Sequence, residues 1–259
     1  TLGRSSAASD VYKRQKKNYI LLLLLCLCFA GCKEKLVVES DHLPIADPYV
    51  MLYEGKYYAY GTGGTVEGEG FACFSSDDLK NWTREGQALS AANSYGTWGF
   101  WAPEVYYIKS KNKFYLFYST EEHICVATAD VPQGPFRQEV KQPIWGEKSI
   151  DTSLFIDDDG TPYLYFVRFT DGNVIWVAEM NDDLTGIKQE TLTECIKAEE
   201  PWELSQDKPA KVAEGPSVLK KNGIYYLIYS ANHFESKNYG VGYATSDSPM
   251  EPWAMSVGN

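Results

Sequence analysis

Four acidic residues recur in related surroundings along this chain. Asp47 opens DPYVMLYEGKYYAYGT, Glu104 sits in APEVYYIKSKNKFYLFYS, Asp151 opens DTSLFIDDDGTPYLYFV and Glu214 opens EGPSVLKKNGIYYLIYS. Carboxyl groups brought together repel one another when ionised, which raises at least one pKa and keeps one acid protonated near neutral pH. A protonated acid facing an ionised carboxylate is what hydrolysis of a glycosidic bond requires. Trp98, Phe100 and Trp101 come just before Ala102-Pro103-Glu104, and aromatic faces suit the C–H faces of sugars. Arg168 is embedded in the strand-like run YFVRF. Its guanidinium could hold a hydroxyl or keep one carboxylate ionised.

The elements that must position these residues are short strands. Each acid is followed by an apolar run, a turn and an aromatic strand, then by a second hairpin whose tail reads CFSSD, VATAD, AEMND or YATSD. The acidic starts lie 57, 47 and 63 residues apart, a spacing typical of stacked units or propeller blades. In the first unit, strands are expected at Asp47–Tyr53, Lys56–Gly61, Phe71–Ser75 and Trp82–Arg84, with Glu54-Gly55 as a two-residue hairpin turn. The second unit repeats the pattern at Glu104–Ile108, Lys113–Ser119, Ile124–Ala129 and Phe136–Glu139. Turns rich in Asp, Asn and Gly follow at 157–161 and 221–223.

Four-stranded antiparallel sheets repeated radially make a β-propeller, whose innermost strands line a central channel. The four acids would then occupy one structural position and converge at one mouth of that channel. A β-sandwich would not call for an acid at each repeat start. Four units run from Asp47 to the end of the sequence, and a further unit would take roughly 40–50 residues. The expected fold is therefore an all-β, five-bladed β-propeller, C-terminally truncated, with about four blades present in residues 44–259.

Composition narrows the function classes. The formal net charge of −11 repels a phosphate backbone, so nucleic acid is not an expected partner. Six cysteines and three histidines show no metal-ligand spacing, and no metal site is expected from them. Cys73 and Cys125 sit in strand-like runs, where burial as small hydrophobes is the expectation. Asp77-Asp78, Asp182-Asp183 and 157–159 read as turn residues, and 157–159 lacks the spacing of a calcium loop.

The N-terminus reads separately. Residues 1–15 lack an initiating Met and fit nothing that follows, so they read as an extraneous segment. In 16–32 a basic flank, a short apolar run and Phe29-Ala30-Gly31-Cys32 make an export signal. The ending resembles the lipobox of bacterial lipoproteins. That likeness implies a cell-envelope protein, on the outer membrane or periplasmic face, anchored to the membrane by lipid on Cys32. Residues 33–43 would be a tether, with a first strand near Leu36–Val38.

Ala46-Asp47-Pro48, Trp101-Ala102-Pro103-Glu104-Val105, Ser149-Ile150-Asp151-Thr152 and Ala213-Glu214-Gly215-Pro216, in this order and spacing, resemble glycoside hydrolase family 43. The likeness covers about residues 43–257. It implies a five-bladed propeller acting, with inversion, on arabinofuranosides or xylosides of plant-type glycans. It further implies Asp47 as general base, Glu214 as general acid and Asp151 as modulator of the acid's pKa, with Glu104 structural. Trp101, Arg168, Phe100 and His233 are the expected sugar-binding residues. The chemistry needs no cofactor, calcium at the propeller axis is a further possibility, and a monomer is expected. Two alternatives remain open from sequence: a glycan-binding propeller without turnover, and a retaining enzyme related to fructan hydrolases, although IADPYV differs from the WMNDPNG-like context of that clan.

Overall fold

The computed structural model of the chain describes residues 37–39, 43–65, 69–204, 206–250 and 252–255. The segments expected at 1–15 and 16–32, with Cys32, and most of the tether lie outside the described residues. All described residues belong to one compact unit, Val37–Asn259.

Within it, four antiparallel sheets follow one another along the chain. The first contains β1 (Val37–Glu39), β2 (Ala46–Tyr53), β3 (Lys56–Thr62), β4 (Gly70–Ser76) and β5 (Asn81–Ser90), in the order β1-β5-β4-β3-β2. The second contains β6 (Trp101–Ile108), β7 (Lys113–Thr120) and β8 (His123–Ala129) in chain order. The third runs β12-β11-β10-β9, from β9 (Ser149–Ile156), β10 (Pro162–Phe169), β11 (Asn173–Glu179) and β12 (Thr193–Lys197). The fourth contains β13 (Ala213–Lys221), β14 (Ile224–Ala231), β15 (Gly240–Ser246) and the two-residue β16 (Ala254–Met255).

The strands that carry the acids, β2, β6, β9 and β13, are the edges at which neighbouring sheets meet: β2 touches β6, β6 touches β9, and β9 touches β13. This is the blade arrangement of a propeller. The tight turns form as their residues dictate. At Glu54-Gly55 the φ angles are 49° and 79°, and at Asn222-Gly223 they are 54° and 81°. Two successive positive φ values match the twist of the flanking strands, and Gly takes the second without steric cost.

One strand differs from expectation. The segment expected as a strand at Phe136–Glu139 contributes only a single bridge, Arg137 with Thr128. Pro132 and Pro135 just before it have no N–H to offer a ladder, so the second blade keeps three full strands. At the other end of the unit, β1 pairs with β5 and gives the first sheet its fifth strand.

Period-two alternation divides the core between blade boundaries. On β7, Phe114, Leu116 and Tyr118 pack toward the first blade, whereas Tyr115 and Phe117 pack toward the third. On β10, Leu164 and Phe166 face the second blade, while Tyr163, Tyr165 and Val167 face the fourth. Cys73 and Cys125 are buried free thiols, as expected, and burial pushes both up to about 12. The first and fourth sheets keep Leu52, Leu219, Val241 and Tyr243 exposed.

Candidate active site

Each inner strand begins with the same irregularity. Regular pairing with the next strand breaks between Ala46 and Tyr49, Trp101 and Glu104, Ile150 and Ser153, and Glu214 and Ser217. The second residue of each break is left-handed, with φ of 47° at Asp47, 43° at Ala102, 55° at Asp151 and 58° at Gly215. Such a conformation costs a residue other than Gly roughly 1–3 kcal/mol and gathers at functional sites. A bulge also bends the strand and re-aims its side chains.

This frame corrects the expectation of one shared structural position. Asp47 and Asp151 occupy the left-handed site. Glu214 stands one residue earlier, where the second blade has Trp101, and Glu104 stands two residues later, where the first blade has Tyr49. The common marker is the third residue, which is Pro48, Pro103, Thr152 or Pro216. The four acids converge all the same, because all of them line one cavity of about 1070 Å³.

Their environments differ. Asp47 is exposed and accepts a hydrogen bond on Oδ2 from the Thr62 hydroxyl at 2.5 Å. Asp151 accepts the Gly215 N–H on Oδ2 at 3.1 Å. Burial pushes its carboxyl up to about 7; the charges of Glu214 and Asp47 add to this and the Gly215 N–H opposes it. Glu214 accepts from Tyr239 Oη on Oε1 at 2.9 Å and from Asn173 Nδ2 on Oε2 at 2.9 Å. Burial raises its pKa and Asp47 adds to the rise, while the two donors oppose it. Desolvation therefore leads at both groups, and like-charge repulsion is the smaller contribution. Burial also pushes Glu104 up to about 7 against donors from Tyr106 and Ser153. The Tyr106 hydroxyl donates to Glu104 and accepts the Leu154 N–H at 3.1 Å. Glu104 thus ties the second inner strand to the third.

Of the expected sugar-binding residues, Trp101 and His233 line the cavity. Trp101 meets Trp98 edge to face at 5.9 Å, and the His233 ring stacks on Phe234 at 4.7 Å. Phe100 and Arg168 are not in the cavity wall. Phe100 is only 4% exposed and stacks on Tyr118 in the core; in an extended chain its side chain points opposite to that of Trp101. The Arg168 guanidinium lies between the rings of Trp145 and Trp176, 4.6 and 4.4 Å from their centroids, and pairs with Glu147 at 2.8 Å. It serves packing around the third blade, while Phe169 beside it reaches the cavity.

Thr62, Asn173 and Tyr239, which hold two of the acids, escaped sequence reading. Asn173 follows Thr170-Asp171-Gly172 and reads as part of a turn, and Tyr239 comes from the loop before β15. Among the described residues no group of three or more His, Cys, Asp or Glu is arranged to hold a metal ion.

The fold and the cavity define a class: an all-β propeller with an acid-lined site where its inner strands begin. The sequence model of glycosyl hydrolases family 43 matches residues 42–259, and the chain belongs to that family. A crystal structure of an endo-1,4-beta-xylanase from Bacteroides thetaiotaomicron VPI-5482 is 79% identical, with a TM-score of 0.83 over 86% of this chain and 75% of that one. A beta-D-galactofuranosidase of Aspergillus niger is 29% identical over 81% of this chain. A beta-xylosidase of Xylanibacter ruminicola is 29% identical over 85% of this chain. The match spans 63% of the length of the Aspergillus protein and 80% of the Xylanibacter one.

Proposed function

We propose that this protein is an inverting glycoside hydrolase acting on β-D-xylosides or α-L-arabinofuranosides of plant-type glycans. The observation that carries this reading is that one cavity holds two carboxylates in opposite environments. Glu214 is half-buried with its pKa raised, as a proton donor requires. Asp47 is exposed and bonded to a hydroxyl donor, as suits an ionised base. The relatives named for xylose-containing substrates support the sugar class.

In this reading Glu214 gives its proton to the glycosidic oxygen as the bond from that oxygen to the anomeric carbon breaks. Asp47 takes a proton from a water attacking the opposite face, and the sugar leaves with its anomeric configuration inverted. Inverting pairs stand roughly 6.5–9.5 Å apart so that the water fits between them. Asp151 acts on Glu214 through charge and through its bond to Gly215, the residue next to the acid. Trp101 and His233 are assigned to hold the sugar. With Cys32 lipidated, the enzyme would work from the cell envelope on oligosaccharides reaching it.

Proton NMR of the first-formed sugar, with the full-length protein and a nitrophenyl β-D-xyloside or α-L-arabinofuranoside, tests the reading. Initial release of the inverted anomer is expected. Initial release of the retained anomer overturns inversion, and turnover of neither glycoside overturns the substrate assignment.

A further inference from the structure

Thr62 is the last residue of β3 and pairs with Ala46, just before the bulge that carries Asp47. Its hydroxyl makes two contacts. Oγ1 accepts the Ala102 N–H from the second blade at 2.9 Å and donates to Asp47 Oδ2 at 2.5 Å. A hydroxyl has one hydrogen, so with a lone pair taken by Ala102 that hydrogen is directed at Asp47.

The same position recurs around the inner ring, and the comparison isolates what is particular to Thr62. In the second blade Ser119 pairs with Trp101, and its Oγ accepts the Asp151 N–H at 2.9 Å. In the third blade the position is Val167, which has no hydroxyl, and the next bulge N–H, that of Gly215, goes to the Asp151 carboxylate at 3.1 Å. Each of these blade boundaries is closed by one left-handed residue's N–H on an oxygen of the preceding blade. Ser119 serves the boundary, and Thr62 serves the boundary and also holds a carboxylate of the cavity. Among the described residues, Thr62 is the side chain hydrogen-bonded to Asp47.

We infer that Thr62 is a positioning residue for Asp47, using the Ala102 N–H of the neighbouring blade to fix its own hydroxyl. With one lone pair of Oδ2 engaged by Thr62, Oδ1 is the freer oxygen to take the proton from the attacking water. This inference rests on the reading of Asp47 as the base. A general base contributes about 10²–10⁴-fold, and a misplacement of about 1 Å can cost about 10²-fold.

The test compares Thr62→Val, Thr62→Ser and Asp47→Asn in the full-length protein on a nitrophenyl glycoside that it hydrolyses, with kcat and KM measured separately. Thr62→Val is expected to lower kcat about 10- to 100-fold with KM changed less than about twofold, and Thr62→Ser to restore most of the loss. In an Asp47→Asn background Thr62→Val is expected to have no further effect. Should Asp47→Asn lose activity while Thr62→Val keeps the parent kcat, the role of Thr62 is overturned and the base stands. Full activity of Asp47→Asn overturns the base and this inference with it. A full additional loss in the double variant shows that Thr62 acts elsewhere and also overturns it. Thr62→Ala, with no added methyl to misplace, answers the same question if the valine variant does not fold.

Discussion

Replacing Tyr239 with Phe removes one hydroxyl, the one that donates to Glu214 Oε1 at 2.9 Å. When Glu214 gives up its proton, the carboxylate gains charge, so a donor on it is stronger in the transition state than before it. A hydrogen bond to a charged group contributes about 1.5–3 kcal/mol. Tyr239 is 41% exposed, so water can take the place of the lost hydroxyl and the lower end applies. At 1.36 kcal/mol per tenfold, kcat is expected to fall about tenfold with KM little changed. The sign of the pH effect follows from the same contact. Burial raises the Glu214 pKa, and the Tyr239 and Asn173 donors oppose the rise. Removing one donor raises it further, and because the acid must be protonated to act, the basic limb of the rate profile moves to higher pH. The assay is kcat against pH for parent and variant. A variant with the parent kcat and an unmoved basic limb would refute the assignment of that limb to Glu214.

Two other perturbations probe the fold around the site. Glu104 and Asp151 are both pushed up to about 7 by burial. The folded chain therefore holds protons that the unfolded chain releases between about pH 4 and 7, and stability declines as pH rises through that window. Urea unfolding should show a more stable protein at pH 5 than at pH 8, and Glu104→Gln should flatten the decline; stability that rises across this window would contradict the burial of these groups. Arg168→Met removes two cation–ring contacts of about 0.5–2 kcal/mol each, so Tm should fall by several degrees with KM unchanged. A large rise in KM without loss of Tm would return Arg168 to the sugar site.

Much of the propeller could be read from the sequence because its signals are local. Strand alternation, the Glu54-Gly55 and Asn222-Gly223 turns and the recurring acidic motifs each lie within a few residues. The bulge register was hidden, because the acid is displaced by one residue at Glu214 and by two at Glu104, while the proline-marked position stays in place. Phe100 was grouped with Trp101 because the two adjoin in sequence, but side chains adjacent in an extended chain face opposite ways. Arg168 was chosen as an arginine inside a strand, and the sequence does not show that Trp145, Trp176 and Glu147 surround it. The donors to Glu214 come from the first residue of β11, just after a hairpin turn, and from a loop, where composition gives no sign of what a side chain will meet across the cavity.

The most direct test of the assignment of acid and base is the dependence of Glu214→Gln on the leaving group. A glycoside whose leaving group needs protonation, such as a xylo-oligosaccharide, is compared with a dinitrophenyl glycoside, whose leaving group needs none. The variant is expected to lose about 10²–10⁴-fold on the first and far less on the second, while Asp47→Asn loses activity on both alike. Equal losses for Glu214→Gln on the two substrates would contradict Glu214 as the proton donor.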